Sequence, residues 1–408
     1  MRRARPVVLA MTLLTVILAA GTPAAAADRE SSWVGPANNA FAADLYAKLI
    51  VEAKGNLFFS PNSIETALAM TYAGARGKTA EQMATVLHLP PKGEAIHQDL
   101  GAFTQGLNAE KTAEGKPRGY QLAVANALWG QKGERFLPAF LDLLKIHYGA
   151  GLSEVDFAGN TEGARQTINA WVEKETRDKI KELIKRGILG RDTVLVLTNA
   201  IYFKGDWAAK FKKEATKDAP FHLAADKTVD VPMMNRSGDY GYAEEEGFQA
   251  LKLPYAGDEL AMIILLPKKV DGLGTIEKSL TADNLGRWCS KFQTQKVKVS
   301  MPKFKTTAEF ELAKTLADMG MPYAFHAADF SGMTGTKDLF ISHVIHKAFA
   351  DVNEEGTEAA AATAVIVPRN GGSHEMQVFR ADHPFLFLIR HEASGAILFM
   401  GRMANPKG

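Results

Sequence analysis

The chain has 408 residues, 46% of them hydrophobic and 23% charged, with a formal net charge of +2. That is enough apolar material for a large packed core, and it excludes a disordered chain. The charge is too evenly balanced for a general attraction to nucleic acid or to a membrane, and a single cysteine, Cys289, excludes any internal disulfide.

The N-terminus stands apart. Arg2, Arg3 and Arg5 precede an apolar run over residues 7–20, and small residues follow up to Asp28. This is the layout of a secretory signal peptide, residues 1–27, which leaves residues 28–408 as a single domain. The apolar run is too short, and wrongly flanked, for a membrane span. Removing the leader removes three arginines, so 48 − 3 = 45 basic residues face 46 acidic ones and the mature charge is −1. The expected product is soluble and is secreted, extracellular or periplasmic.

Apolar residues three and four apart predict helices over 36–51, 63–74, 80–89, 136–147 and 161–183. Ser60-Pro61-Asn62-Ser63 marks the entry into the second, because short hydroxyl and amide side chains cap free amides there. In the last of these helices, mixed signs at Glu173, Glu175, Lys179, Lys181 and Glu182 mark a solvated face. Residues 194–203 are almost unbroken apolar residues, as in a strand covered on both faces, yet Asn199 lies inside the run. Residues 261–267, 385–389 and 396–400 read as further buried strands, and the alternation Val297, Val299, Met301 as a strand ending at Pro302. No repeat or linker divides the chain, and the class is α+β. Cys289, close to Trp288 and Phe292, reads as a small apolar filler.

Hydrolase signatures are weak. Gly-x-Ser-x-Gly is absent, and Ser300-Met-Pro-Lys303 matches the Ser-x-x-Lys of penicillin-recognising enzymes without the Lys-Thr-Gly that should follow. His343 and His346 are close, but no carboxylate pair accompanies them, so a packed, hydrogen-bonded His346 is expected and a metal site is not. No nucleotide-binding glycine pattern occurs. The expectation is a protein that is not an enzyme, with no catalytic residue, metal or cofactor.

The segment EEGTEAAAATAVIVPRNGG, residues 354–372, fits neither a helix nor an ordinary strand. As a helix it is short and has no apolar stripe to dock it. As a strand it places Thr357, Ala359, Ala361 and Thr363 on one face, all small and uncharged, with Glu358 pointing the other way. Such a strand could slide between two others without forcing a core apart. Beyond Val367 the run Pro368-Arg-Asn-Gly-Gly-Ser-His reads as extended and exposed, a target for proteolysis.

Asn353-Glu-Glu-Gly-Thr-Glu-Ala-Ala-Ala-Ala-Thr363 resembles the hinge of the reactive-centre loop in serpins, the serine protease inhibitor superfamily. The resemblance extends from about Phe41 to Pro406, through Asn56-Leu-Phe-Phe-Ser-Pro-Asn-Ser-Ile64, Thr198-Asn-Ala-Ile-Tyr-Phe-Lys-Gly-Asp-Trp207, His383-Pro-Phe-Leu-Phe-Leu-Ile389 and Leu398-Phe-Met-Gly-Arg402. With the leader, it is that of an exported member of bacterial type. It implies three β-sheets, eight or nine helices and a protruding loop, residues 356–378. It also implies inhibition as a suicide substrate: the target protease cuts the loop, is held as the acyl-enzyme, and is carried off as the loop inserts into the central sheet. The implied partner is a serine protease in a 1:1 covalent complex, trypsin-like by preference, with a cysteine protease as the alternative. A monomer is expected, with no nucleic-acid or membrane partner.

By the same resemblance the hinge is Glu355, Gly356, Thr357, Glu358, Ala359, Ala360, Ala361, Ala362 and Thr363. Ser60, Ser63, Asn199 and His346 match a polar cluster beneath the point where the central strands part, and Trp207 matches an aromatic where insertion begins. The reactive bond is Arg369-Asn370 or Asn370-Gly371, depending on the hinge-to-bond spacing. A non-inhibitory member, acting as carrier, chaperone or binding protein, is the first competing reading, and a penicillin-recognising serine hydrolase built on Ser300 and Lys303 is the second. Hinges of non-inhibitory members tend to carry charged, bulky or proline residues, and none lies between Ala359 and Val365.

Overall fold

A computed structural model describes residues 33–112, 115–149, 151–357 and 376–408. In chain order, α1 (Val34–Glu52) leads through β1 (Leu57–Phe59) to α2 (Pro61–Tyr72), α3 (Gly77–Val86) and α4 (Ala95–Asn108). Strand β2 (Tyr120–Gln131), α5 (Pro138–Tyr148), β3 (Leu152–Val155), α6 (Thr161–Glu175) and β4 (Leu195–Asp206) follow. Next come β5 (Lys217–Ala224), β6 (Lys227–Glu244), β7 (Phe248–Pro254), β8 (Leu260–Pro267), α7 (Leu273–Lys278) and α8 (Ala282–Cys289). The chain continues through β9 (Gln293–Pro302), β10 (Phe304–Glu311), α9 (Ala313–Met319), a single turn α10 (Ser331–Thr334), β11 (His343–Val352) and β12 (Gly356–Thr357). It ends with β13 (Gln377–Arg380), β14 (Phe385–His391) and β15 (Ile397–Met403).

The six-stranded sheet has the order β10-β11-β12-β4-β2-β3, and the nine-stranded network runs β1-β15-β14-β8-β7-β6-β9-β13 with β5 on β6. The long strand β6 joins what would otherwise be two sheets. Its C-terminal Gly241–Glu244 pairs with β7, whereas its N-terminal part pairs with β5 and its middle with β9.

The expected central strand is β4, buried from Leu195 to Phe203. One face packs Ile201 and Phe203 into the core shared with the larger network, alongside Phe58, Tyr255 and Phe399. The other packs Val196 and Ala200 beneath Ile168 and Val172 of α6. Both faces are therefore dry, as the unbroken apolar run requires. Entry into α2 also follows its sequence: the Ser60 side chain accepts from the Ser63 amide at 3.2 Å, and Pro61 occupies the first turn, where its missing N–H leaves nothing unpaired.

One helix is shorter than its periodicity predicts. The helix expected over 161–183 stops at Glu175, because the Thr176 hydroxyl bonds the Val172 carbonyl and then accepts from the Ile180 amide. Arg177, Asp178 and Glu182 adopt positive φ, and the chain doubles back so that Ile180, Leu183 and Ile184 join the core under α6. Cys289 is half-buried against the main core, and burial pushes its thiol pKa up.

Candidate functional site

Strands β4 and β11 run parallel and pair over seven positions, from Val196 with His343 to Tyr202 with Phe349. Above that point they part, and β12 fills the gap antiparallel to both, with Gly356 opposite Asp206, and Thr357 opposite Gly205 on one side and Val352 on the other. A tight turn over Asn353–Gly356 delivers it, closed by the Asn353 amide donating to the Gly356 carbonyl at 2.8 Å. Only glycine fits at 356: a Cβ there would lie 1.9 Å from the Gly205 carbonyl oxygen.

Thr357 is fully buried, its hydroxyl 2.9 Å from that of Tyr255. Tyr255 stacks on Trp207 with ring centroids 4.7 Å apart. Trp207 in turn ties down the turn, its indole N–H donating to the Asn353 carbonyl and its amide to the Glu355 carbonyl, both at 2.9 Å. Two acids of the turn are clamped as well. Glu354, only 5% exposed, accepts from Lys303 and from the Thr216 hydroxyl, each at 2.9 Å. Burial works to raise its pKa, but these bonds hold the carboxyl below its ordinary value. Glu355 accepts from Lys210 at 2.7 Å, with Lys213 at 3.6 Å, and the Lys210 bond is the main reason that its pKa is also lowered. The turn is thus held by a hydrophobic seat and two charge-assisted contacts.

Three pairs below the parting point, Asn199 of β4 lies opposite His346 of β11, and both are fully buried. The Ser60 backbone N–H donates to His346 Nε2 at 3.2 Å, so Nδ1 carries the ring proton and donates it to Asn199 Oδ1. The Asn199 amide nitrogen donates to Ser63 Oγ at 2.5 Å and to Asn126 Oδ1, and Ser60 Oγ donates to the Leu398 carbonyl at 2.6 Å. Ser63 Oγ donates to Asn126 Oδ1 at 3.0 Å. Every bond in this chain has one sensible direction, and it links α2, β2, β4, β11 and β15. Desolvation drives the His346 pKa down to about 3, partly opposed by its bond to Asn199, so the ring is neutral across the physiological range.

Ser60, Ser63, Asn199 and His346 are therefore brought together, and Trp207 is placed with Glu355, Gly356 and Thr357 at the head of β12. Glu358, Ala359, Ala360, Ala361, Ala362 and Thr363 of the predicted hinge lie outside the described residues. So do Arg369, Asn370 and Gly371 of the predicted reactive bond, and the leader. Ser300 donates to Asn235 Oδ1 at 2.6 Å while the Lys303 ammonium goes to Glu354, so each side chain of the Ser-x-x-Lys match has a different partner. His343 and His346, three apart on one strand, point to opposite faces and cannot converge on one ion.

Asn126, Tyr255 and the clamping residues Lys210, Lys303 and Thr216 were not legible from the sequence. Asn126 lies between Ala125 and Ala127, small residues that blur the alternation of β2, and only the register, which sets it opposite Asn199, reveals its place.

The family model described as Serpin (serine protease inhibitor) matches residues 36–406. The leukocyte elastase inhibitor of Bos taurus is 46% identical over 386 residues, covering 91% of this chain and 98% of that protein. Among solved structures, uncleaved ovalbumin superposes with a TM-score of 0.82 at 31% identity, covering 91% of this chain and 100% of that one. Human thyroxine-binding globulin, solved with its hormone, also gives a TM-score of 0.82 at 31% identity, over 92% and 99%.

Proposed function

The chain belongs to the serpin family, and on that premise we propose that it is an exported inhibitor of serine endopeptidases that acts as a suicide substrate. The observation that carries the proposal is the seat of β12: the first two residues of a small-residue segment already occupy the gap where two parallel strands part. Insertion would continue that pairing downward as β4 and β11 part.

The register says what continuation would do. Each step down the loop meets one residue earlier on β4 and on β11, so Ala359 falls opposite Phe203 and Ala350, and Ala361 opposite Ile201 and Ala348. Thr363 then arrives opposite Asn199 on one side and His346 on the other. Parting the strands breaks the bond between those two side chains, and the Thr363 hydroxyl, able both to donate and to accept, would stand between them in its place. By strand alternation Ala359, Ala361 and Thr363 share the core-facing side on which Thr357 is buried, and none needs much room.

In this reading a protease cleaves at Arg369-Asn370 or Asn370-Gly371 and is held as an acyl-enzyme while the freed loop inserts. Arg369 favours a trypsin-like target, with a cysteine protease as the alternative. Residues 1–27 direct export, and residues 28–408 act as one domain and as a monomer. Mixing the purified mature protein with trypsin-like, elastase-like and cysteine proteases should give, with the first, a 1:1 covalent species that survives boiling in detergent. Mass spectrometry of the released peptide locates the bond. Cleavage by every protease of the panel with no covalent species would overturn the proposal. It would favour the carrier reading instead, which the likeness to thyroxine-binding globulin keeps in view.

A further inference from the structure

Glu65 lies in α2, and neither of its carboxyl oxygens has a hydrogen-bond partner among the described residues, although the side chain is fully buried. A buried polar group without a partner is rare and destabilising, and a buried unpaired carboxylate far more so. One turn further along the same helix face, Ala69 belongs to a small core with Val34, Ile96 and Leu100, against which Tyr72, Phe103 and Tyr148 pack.

We propose that Glu65 is a pH-dependent destabilising element of the resting fold: an uncharged carboxylic acid sealed in the core, whose removal makes the uncleaved protein more stable. The reading is independent of protease inhibition, since it concerns the resting protein alone.

The surroundings offer the carboxylate no compensation. Tyr148 of α5 faces Glu65, and its hydroxyl is 2.8 Å from His97 Nδ1 on α4. His97, with His147 of α5 behind it, is held neutral by desolvation, its pKa brought down to about 4. Asp99 of α4 is bound to the Trp33 indole, and His147 lies 3.8 Å from Glu94. Among the other titratable groups buried in elements packed on α2, Tyr46 of α1 and Arg402 of β15 are bound to Glu277, the Tyr120 hydroxyl of β2 accepts from Arg118, and Tyr202 of β4 stacks on Phe349 of β11. Toward the core β2 and β4 present Asn126 and Asn199. Among the described residues no cation pairs with Glu65, and desolvation raises its pKa well above the ordinary value.

The sign of the effect follows. An unfolded chain releases the Glu65 proton near 4.5, whereas the folded chain retains it to higher pH, so this residue takes stability away as pH rises from about 4.5. Replacing it with methionine, of similar length and apolar, removes both the orphaned oxygens and the titration.

The test is thermal unfolding of the uncleaved full-length protein and its Glu65→Met variant between pH 5 and pH 8. The expected result is a variant that unfolds roughly 3–6 °C higher at pH 8, with a gap that narrows toward pH 5. Contributions from His97 and His346 are common to both proteins and cancel in the difference. A variant no more stable than the parent, or a gap independent of pH, overturns the proposal. Should the methionine variant not fold, infrared spectra of the parent and of Glu65→Gln decide. A protonated-carboxyl band present at pH 7 in the parent and missing in Glu65→Gln supports the proposal, and no such band in the parent overturns it.

Discussion

Thr357→Arg is expected to leave the loop cleavable and to end trapping. Thr357 is fully buried between β4 and β11, its hydroxyl against Tyr255, and every residue behind it must follow through that gap. A guanidinium placed there would carry its charge into the core, at several kcal/mol. Each 1.4 kcal/mol on the insertion barrier is about a tenfold loss in rate, so ~3 kcal/mol slows insertion about a hundredfold and lets hydrolysis of the acyl-enzyme win. The yield of covalent complex with a protease that cleaves the loop should fall below about a tenth of the parent's while the cleaved inhibitor accumulates. Thr357→Val is the control, because it keeps the shape and loses only the Tyr255 contact, about 1–2 kcal/mol, and should still trap. Trapping by Thr357→Arg at the parental yield would mean that insertion does not begin at this seat.

His346→Ala is expected to weaken the resting protein by roughly 3–5 kcal/mol at pH 7.5, read from equilibrium or thermal unfolding. The substitution opens a cavity, strips Asn199 Oδ1 of its donor and leaves the Ser60 amide without its acceptor. Burial of the ring also carries a pH dependence. The ring takes a proton near 6.5 when the chain is unfolded but only near 3 when folded, so the stability it contributes is present above about 6.5 and falls as pH drops toward 3. The slope is ~1.4 kcal/mol per pH unit. The gap between parent and variant should therefore shrink in acid. A variant as stable as the parent at pH 7.5 would show that the network does not hold β4 and β11 together.

Much of this site is legible in the residues themselves. An asparagine in an unbroken apolar strand demands partners, and Asn199 has them; small residues after Gly356 suit a crowded gap, and Gly356 meets backbone within 2 Å of where its Cβ would stand. What escapes the sequence is whatever depends on register or on distant pairing. Lys303 and Glu354 are 51 residues apart in the chain and Lys210 and Glu355 are 145 apart, and nothing local distinguishes these charges from a solvated face. Asn126 is invisible until β2 is set against β4. Helix α4 carries Ile96, Leu100 and Leu107 at helical spacing on its buried side, but its glycines and polar residues dilute the pattern. The early end of α6 has a similar cause: periodicity continues through Ile180 and Leu183, and only the Thr176 hydroxyl turns the chain back.

The central claim is that the uncleaved molecule holds a sheet ready to accept its own loop, and that insertion lowers its free energy. Thermal unfolding before and after a single cut in the loop tests this most directly. About ten inserted residues would make some twenty backbone hydrogen bonds to β4 and β11 in place of the seven-position pairing that must part, and at a net contribution near 0.5–1 kcal/mol for each bond gained the unfolding temperature should rise by roughly 10 °C or more. A cut protein that unfolds at the same temperature as the intact one would contradict the account.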